Sequence, residues 1–586
     1  MKNHSLKNVS RRQFIQHSAA VTGTFIVGMH LPIVSEAATA GASAAPALAN
    51  AWIQLTPSNQ IPLICARSEM GQDVYTSLPA LLAEELNLPL SMVKVEIAGV
   101  APVYINAMLG GQITGGSTSV REAFDKLRTA GAATRSVLIQ AAAQRWNVAA
   151  SDCKAFNGKV IHASGKSATY GELAAAAAKL PLPEKPVLKS PASFMVIGKE
   201  TMRRLDTPVK VAGKAVYGID VKIPGMAIAS LAQCPVIGGT PKSYDATAAL
   251  KVAGVIKVVQ ISDGVAVLAK DFYAARKGRD ALKINWDEGQ NASLSNATVR
   301  KSLEAGLSQK GAVIKTVGDV NKSASGGKAI SAQYFLPYLA HSTMEPVNCS
   351  ADVSNGKCRI IGPIQFQQGG QAVAAAAAGV KPEDVTIETT FLGGGFGRKL
   401  ELDFIRQAAE ISKAAGMPVK MLWTKEDDIT HDFYRPMSIH QLDGVLGANG
   451  QLEFMKAKMV SQSVTARAFP GFVKDGFDPF MVEGSNNVTY DIPNMEITNV
   501  ITDTGLRVGY WRSVSNALNA FAIESFVDEA AKAAGKDPVA FRMASLNKHP
   551  RAKAVLEAAV KKSGYTAGSK RFGVAQIGRA SCRERV

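Results

Sequence analysis

The sequence predicts a mixed α+β chain built from several domains. Apolar residues alternate between the two-residue period of pleated strands and the 3.6-residue period of helices, so both element types are expected. The 586 residues suffice for about three to four domains. Apolar residues at 47 % and charged residues at 19 % are the balance of a packed protein, not of a disordered one. The net charge of +18 comes from scattered Lys and Arg with no aromatic-interleaved basic stripe, so nucleic acid is not an expected partner.

Taken in order, Ser10-Arg11-Arg12-Gln13-Phe14-Ile15 and the mostly apolar run Ala19 to Met29 read as a twin-arginine export signal over residues 1–40, with cleavage after Ala40. That run is too short to span a bilayer comfortably, so the expected location is the periplasm. An uncleaved leader would leave the chain membrane-associated. Residues 50–190 read as strands followed by helices, with Leu78–Leu86 and Val120–Trp146 as helical segments. Pro181, Pro183, Pro186 and Pro191 then punctuate a linker. A further segment occupies 203–290, a polar stretch near Gly318 to Lys328 marks a loop, and the remainder from 328 to 575 forms the last large unit.

Within that unit an Asn355-Gly356 turn sets Val353, not Cys349, opposite Cys358, so that cysteine pair is not expected to be bridged. Val385, Ile387, Thr389 and Phe391 alternate as in a strand, and Phe404, Ala408, Ile411 and Ala415 follow a helical period stopped by Gly416. Leu518, Phe521 and Ala522 begin a helix closed at Gly535, and Asp537-Pro538 caps and starts another. The six cysteines include no C-x-x-C pair or iron-sulfur spacing, and the histidines lack the paired spacing of a zinc site. No metal-ligating side chain is therefore expected.

Gly393-Gly394-Gly395-Phe396-Gly397-Arg398-Lys399 lies between the strand period and the helix period. Three consecutive glycines let the backbone approach a ligand, and a helix start behind them would favour an anion. The run lacks the G-x-G-x-x-G spacing of a dinucleotide fold and the Lys-Ser/Thr end of a P-loop, and as a bare motif it is also compatible with a plain connecting turn. Phe396 adds nothing to phosphate binding and is expected to wall a pocket.

Phe391 to Lys399 resembles the molybdopterin loop of the xanthine oxidase family's large subunit. His341-Ser342-Thr343-Met344-Glu345-Pro346-Val347-Asn348, Gly362 to Gln367, Trp423 to Asp428 and Tyr510-Trp511-Arg512-Ser513-Val514 follow in that family's order. Ser68 to Asp73 and Thr114 to Ser119 resemble a further cofactor segment, placed early as in the isoquinoline 1-oxidoreductase and aldehyde dehydrogenase beta subunits. Residues 203–290 resemble the α/β hammerhead domain, so the resemblance implies hammerhead plus molybdopterin-binding domains at 50–190 and 328–575.

What the resemblance implies is a hydroxylation of an aldehyde or N-heterocyclic aromatic, with water as the oxygen source. The implied cofactor is molybdenum held by molybdopterin cytosine dinucleotide. Electrons would leave through [2Fe-2S] clusters on a small partner subunit toward a cytochrome or other acceptor. Export in the folded state suits such a cofactor. By matching positions, Gly71, Gln72, Thr118, Ser119, Gly393, Gly394, Gly395, Phe396, Gly397 and Arg398 would hold the cofactor, Gln365 would hydrogen-bond the oxo ligand, Phe396 would border the small-molecule substrate, and Arg512 would orient it. Alternatives stay open: Gln365 on a strand bonding only backbone, and Arg512 as a stacked structural arginine. Glu345 before Pro346 reads as a turn-capping carboxylate. Leu400 stands where several xanthine-type enzymes carry a substrate-binding glutamate, which argues against purines.

The family's base is a glutamate in a late G-x-G-E segment, and no such segment occurs here. The residues after Ala575, Ile577 to Val586, resemble a translated sequencing adapter more than a natural basic tail. The expectation is a fragment that lacks the base and is inactive alone. The competing expectation is a non-catalytic binding or assembly subunit with a vestigial cofactor cradle.

Overall fold

A computed structural model describes residues 52–199, 202–321, 327–568 and 573–575, with the backbone of Leu48–Ala49. The export signal at 1–40 and the tail at 577–586 with Cys582 lie outside the described residues. Among the described residues no helix is long and apolar enough to cross a membrane.

The N-terminal part has its own apolar core around the parallel strands Ile61–Cys65 and Val93–Ile97. Helices Val74–Leu86 and Ser119–Trp146 pack on one another. The first starts ahead of the expected Leu78 because the amides of Thr76 and Ser77 already bond the Asp73 carbonyl. That first turn, Val74 to Ser77, is too short to show a helical period by itself, although Val74 and Tyr75 are buried in the core. Glu84 and Glu85 are fully buried on this helix. Glu84 accepts from the amides of Met195, Val196 and Ile197 and from Lys189, while Glu85 pairs with Arg128 at 2.9 Å and Arg135 at 3.0 Å. The proline-rich linker is thus pinned to the helix at Lys189, because a buried carboxylate without partners would be costly.

Three strands of the 203–290 segment do not stand alone. Ala227–Gln233, Val255–Ile261 and Gly264–Ala269 join Asn348–Ser354, Lys357–Gly362, Val385–Thr389 and Val419–Leu422 in one seven-stranded mixed sheet. Helices Gln367–Ala378 and Asp403–Ala415 cover it. Phe404, Ala408, Ile411 and Ala415 are buried and Gly416, at φ 70°, ends the helix as its position predicts. Val353 does face Cys358 across the Asn355-Gly356 turn, and the five described cysteines are buried and unbridged.

A five-stranded sheet, in the order Ala312–Val317, Asn494–Ile501, Leu452–Ser461, Ser438–Leu446 and Lys328–Leu336, carries helix Asn516–Ala533 on one face. Leu518 and Ala522 are buried there, but Phe521 is half exposed, its ring edge-on to Tyr334. Asp537 caps the helix Pro538–Ala544 through the amides of Val539 and Ala540.

His440, on the strand Ser438–Leu446, is buried with Nε2 3.0 Å from the Ser438 hydroxyl. Burial pushes its pKa from 6.5 down to about 3. The unfolded chain therefore binds one more proton between those two values, so stability is full above pH 6.5 and is lost as pH falls toward 3. The loss at this site is on the order of 5 kcal/mol at the acid end. His440→Gln is expected to flatten the acid side of the stability profile in denaturant titrations. A wild-type slope in that variant would show that His440 protonates without cost.

Candidate active site

Six segments converge on a cavity of about 510 Å³. They are Met70 to Gln72, Met108 to Ser119, the turn at Gln365, the glycine loop at Phe396 to Leu400, the stretch Phe469 to Glu483, and the loop Tyr510 to Val514. Of the residues expected at the site, Gly71, Gln72, Ser119, Gln365, Phe396, Gly397 and Arg512 line it, whereas Thr118, Gly393, Gly394, Gly395 and Arg398 do not.

The glycine loop differs from the expected strand–glycine–helix device. A short 3-10 turn, Arg398–Leu400, separates it from the helix, which begins only at Asp403. Arg398 is fully buried, bonded to both Asp403 carboxylate oxygens at 2.9 and 2.8 Å. Its Nε lies 3.2 Å from Asp432, and its guanidinium centre sits 5.3 Å from the Trp423 ring and 5.4 Å from the Phe433 ring. Burial alone would lower its pKa, but the two carboxylates hold it up. Arg398 is thus a structural anchor, and Asp403 fills the helix start that an anion was expected to use.

What the loop offers instead is bare backbone. The amides of Gly394, Gly395, Phe396 and Gly397 find no acceptor among the described residues, a nest of donors suited to an anionic group. The loop is held open from behind: Glu345 accepts from the Gly393 amide at 2.8 Å, from Ile219 at 3.1 Å and from Asn348 at 3.0 Å. Glu345 thus caps amides of two distant segments and not, as expected, its own turn at Pro346. A Cβ on Gly395 would come within 2.5 Å of Gln365 Oε1, and one on Gly397 within 1.4 Å of the Tyr510 carbonyl oxygen, at a φ of 110°. His341 sits behind this contact, with Nδ1 3.0 Å from Asp432 and Nε2 3.2 Å from the Tyr510 carbonyl.

Gln365 is on a turn between the strand Lys357–Gly362 and the helix Gln367–Ala378, not on a strand. Its Nε2 donates to the Thr114 carbonyl at 3.1 Å, while Oε1 is buried without a partner. The open atom is therefore an acceptor, which would receive a hydrogen bond from a protonated ligand group and not donate to an oxo group. Gln72 spends its amide on its own loop, accepting from Met70 at 2.8 Å and donating to Ser68 at 2.9 Å. It shapes the cradle it lines, with its amide held within its own loop. Thr118 is buried beneath, donating to Gly115 at 2.8 Å and accepting from Asn106 at 2.7 Å.

Backbone strain concentrates here. Ser117, Phe396, Ser513 and Val514 all line the cavity with φ between 51° and 69°, a conformation costly for non-glycine residues and most of all for a β-branched valine. Arg512 lies with its guanidinium 5.6 Å from the Phe396 ring, so the stacked arrangement and a place in the cavity are both realised.

Sequence reading missed the wall made by Phe469, Phe472, Phe480 and Glu483. These residues lie in an irregular stretch where no period marks which side chains turn inward. Burial, reinforced by the Asp478 carboxylate, pushes the Glu483 carboxyl up to about 7, against a 3.1 Å hydrogen bond from Asn516. The cradle fits a molybdopterin group on these grounds: a run of unpartnered amides, those of Phe396 and Gly397 on residues that line the cavity, two glycines that admit no side chain, and an orphaned buried amide oxygen.

Residues 307–546 and 7–223 each match a molybdopterin cofactor-binding domain. The chain is 31 % identical to the isoquinoline 1-oxidoreductase subunit beta of Brevundimonas diminuta, over 95 % of this chain and 78 % of that one. It is 29 % identical to a membrane-bound aldehyde dehydrogenase (pyrroloquinoline-quinone) of Gluconacetobacter polyoxogenes, over 84 % of this chain and 66 % of the relative. The crystal structure of the aldehyde oxidoreductase from Desulfovibrio desulfuricans shares the fold, with a TM-score of 0.50 at 14 % identity, covering 84 % of this chain and 58 % of that one.

Proposed function

We propose that this chain, which belongs to the molybdopterin-binding subunits of the xanthine oxidase family, supplies the cofactor cradle and substrate cavity of an enzyme that oxidises an aldehyde or N-heterocyclic aromatic, the cavity lying between its glycine loop and the Tyr510 to Val514 loop, with the catalytic glutamate outside this sequence. The single observation that carries the reading is the glycine loop itself, whose amides are unpartnered and whose Cβ-free approaches bring Gly395 to the orphaned oxygen of Gln365 and Gly397 to the Tyr510 carbonyl.

The bound molybdenum–pterin group, proposed in its cytosine dinucleotide form, would supply a two-electron oxidation with oxygen drawn from water. The chain's residues would do the rest. The Gly394 to Gly397 amides would hold the anionic edge of the group, and Gln365 Oε1 would accept a proton-bearing ligand's hydrogen bond. Phe396 would form one flat wall for the substrate, with Arg512 fixed against it. Electrons would pass to a small [2Fe-2S] subunit and on to a cytochrome or other acceptor. Periplasmic location by twin-arginine export, with membrane association through the leader, is part of the same proposal and rests on residues 10–29.

The test is metal and pterin content of the full-length subunit, followed by variants in it. Gln365→Ala is expected to keep wild-type molybdenum content and to lower turnover about 10- to 100-fold, the range for a residue that orients a metal group from outside its ligand set. Parallel loss of molybdenum would make Gln365 scaffold only. A chain without molybdenum or pterin after expression with its partner would overturn the reading.

A further inference from the structure

The cavity has a second character away from the glycine loop. Phe469, Phe472, Phe480 and Tyr510 form a closed ring of neighbours, with centroids 6.3 Å apart between Phe469 and Phe472, 6.3 Å between Phe472 and Phe480, 5.6 Å between Phe480 and Tyr510, and 6.4 Å between Tyr510 and Phe469. Such rings favour flat aromatic ligands through face and edge contacts. In the same wall stands Glu483, whose carboxyl is held by one hydrogen bond, Asn516 Nδ2 to Oε2 at 3.1 Å. Its other oxygen has no hydrogen-bond partner among the described residues. Asn516 is itself fixed through the Ser513 carbonyl at 3.1 Å, so the carboxyl is aimed by the strained loop that carries Arg512.

We infer that Glu483 selects a planar aromatic N-heterocycle in this cavity, donating its carboxyl proton to the ring nitrogen while the four aromatic rings flank the heterocycle. This rests on the cavity being the substrate site proposed above, and it narrows the substrate from aldehyde or heterocycle to the heterocycle. The charges around Glu483 agree. Asp478, held by Thr465, Ser463 and the Phe480 amide, disfavours a second negative charge. Arg512 in the same cavity disfavours a cationic ligand. Tyr510, pushed up to about 12 by burial, stays neutral. A neutral acid facing a neutral ring base satisfies all three. With its pKa near 7, the Glu483 carboxyl holds the needed proton below neutrality and loses it above.

The probe is isoquinoline, a weak base that remains neutral near pH 7, against naphthalene, which has the same shape without nitrogen. Binding is measured by calorimetry on the cofactor-loaded chain. Wild-type affinity for isoquinoline is expected to fall about tenfold from pH 6 to pH 8 as the carboxyl ionises, with naphthalene unaffected. Glu483→Gln keeps a donor of the same shape and an acceptor for Asn516, so isoquinoline binding is expected to persist without pH dependence. Glu483→Leu should bind isoquinoline and naphthalene alike. An unchanged pH profile in Glu483→Gln, or retained discrimination in Glu483→Leu, would overturn the inference. Molybdenum assayed on the same sample separates the cases: a loaded chain that does not discriminate refutes the heterocycle alone, and an unloaded one refutes the whole reading.

Discussion

Gly397→Ala is expected to abolish cofactor retention, lowering molybdenum and pterin content at least about tenfold while the helical and sheet cores survive. Two costs act together. At φ 110° an alanine is strained by about 1 to 3 kcal/mol. Its Cβ would also lie 1.4 Å from the Tyr510 carbonyl oxygen, so either the glycine loop or the Tyr510 to Val514 loop must move. Both line the cavity, and the second already holds Ser513 and Val514 in strained conformations. The control is Gly416→Ala, at φ 70° with open space around it. It carries the strain without the clash and should cost about 1 kcal/mol with cofactor content unchanged. Wild-type molybdenum in Gly397→Ala would show that the contact with Tyr510 is not needed to form the site.

Arg398→Met should be the most destabilising single change near the site. It leaves Asp403 and Asp432 facing one another's surroundings without the guanidinium that lies between them. Breaking a buried pair in this way costs about 3 to 5 kcal/mol, and the stacking on Trp423 and Phe433 is lost as well. The pH dependence has a definite sign. Burial raises the Asp432 carboxyl, but His341 and Arg398 hold it below its ordinary value. Without Arg398 its pKa rises, so acidification should neutralise it sooner and the gap between variant and wild type should narrow as pH falls. Adding Asp403→Asn should restore part of the loss. Denaturant midpoints measure both, and a gap that widens on acidification would count against this account.

Much of the architecture was legible in the residues. The helix Asp403–Ala415 follows from its apolar period and Gly416, and the Asn355-Gly356 turn sets the register that keeps Cys349 and Cys358 apart. The loops that form the cavity were legible only as motifs. Arg398 sits inside the glycine motif and looks like a ligand-binding cation, yet it points into the core, because the partners that draw it there, Asp432, Trp423 and Phe433, are distant in the chain. Gln365 was found by its motif, but which end of its amide is free depended on the Thr114 carbonyl, which is brought to it by another loop.

The sequence by itself determined the alternation of elements, the closing residues of the helices, the unbridged hairpin and the glycine run itself, because each depends on neighbours within a few positions. Only the tertiary structure decided that three strands of the 203–290 segment complete the sheet of the next, that Arg398 anchors while Phe396 and Gly397 face the cavity, and that Glu483 joins four aromatic rings in one wall. Those outcomes depend on burial and on charges that meet across long stretches of chain, and burial is what turns a surface carboxylate into a group that titrates near neutrality.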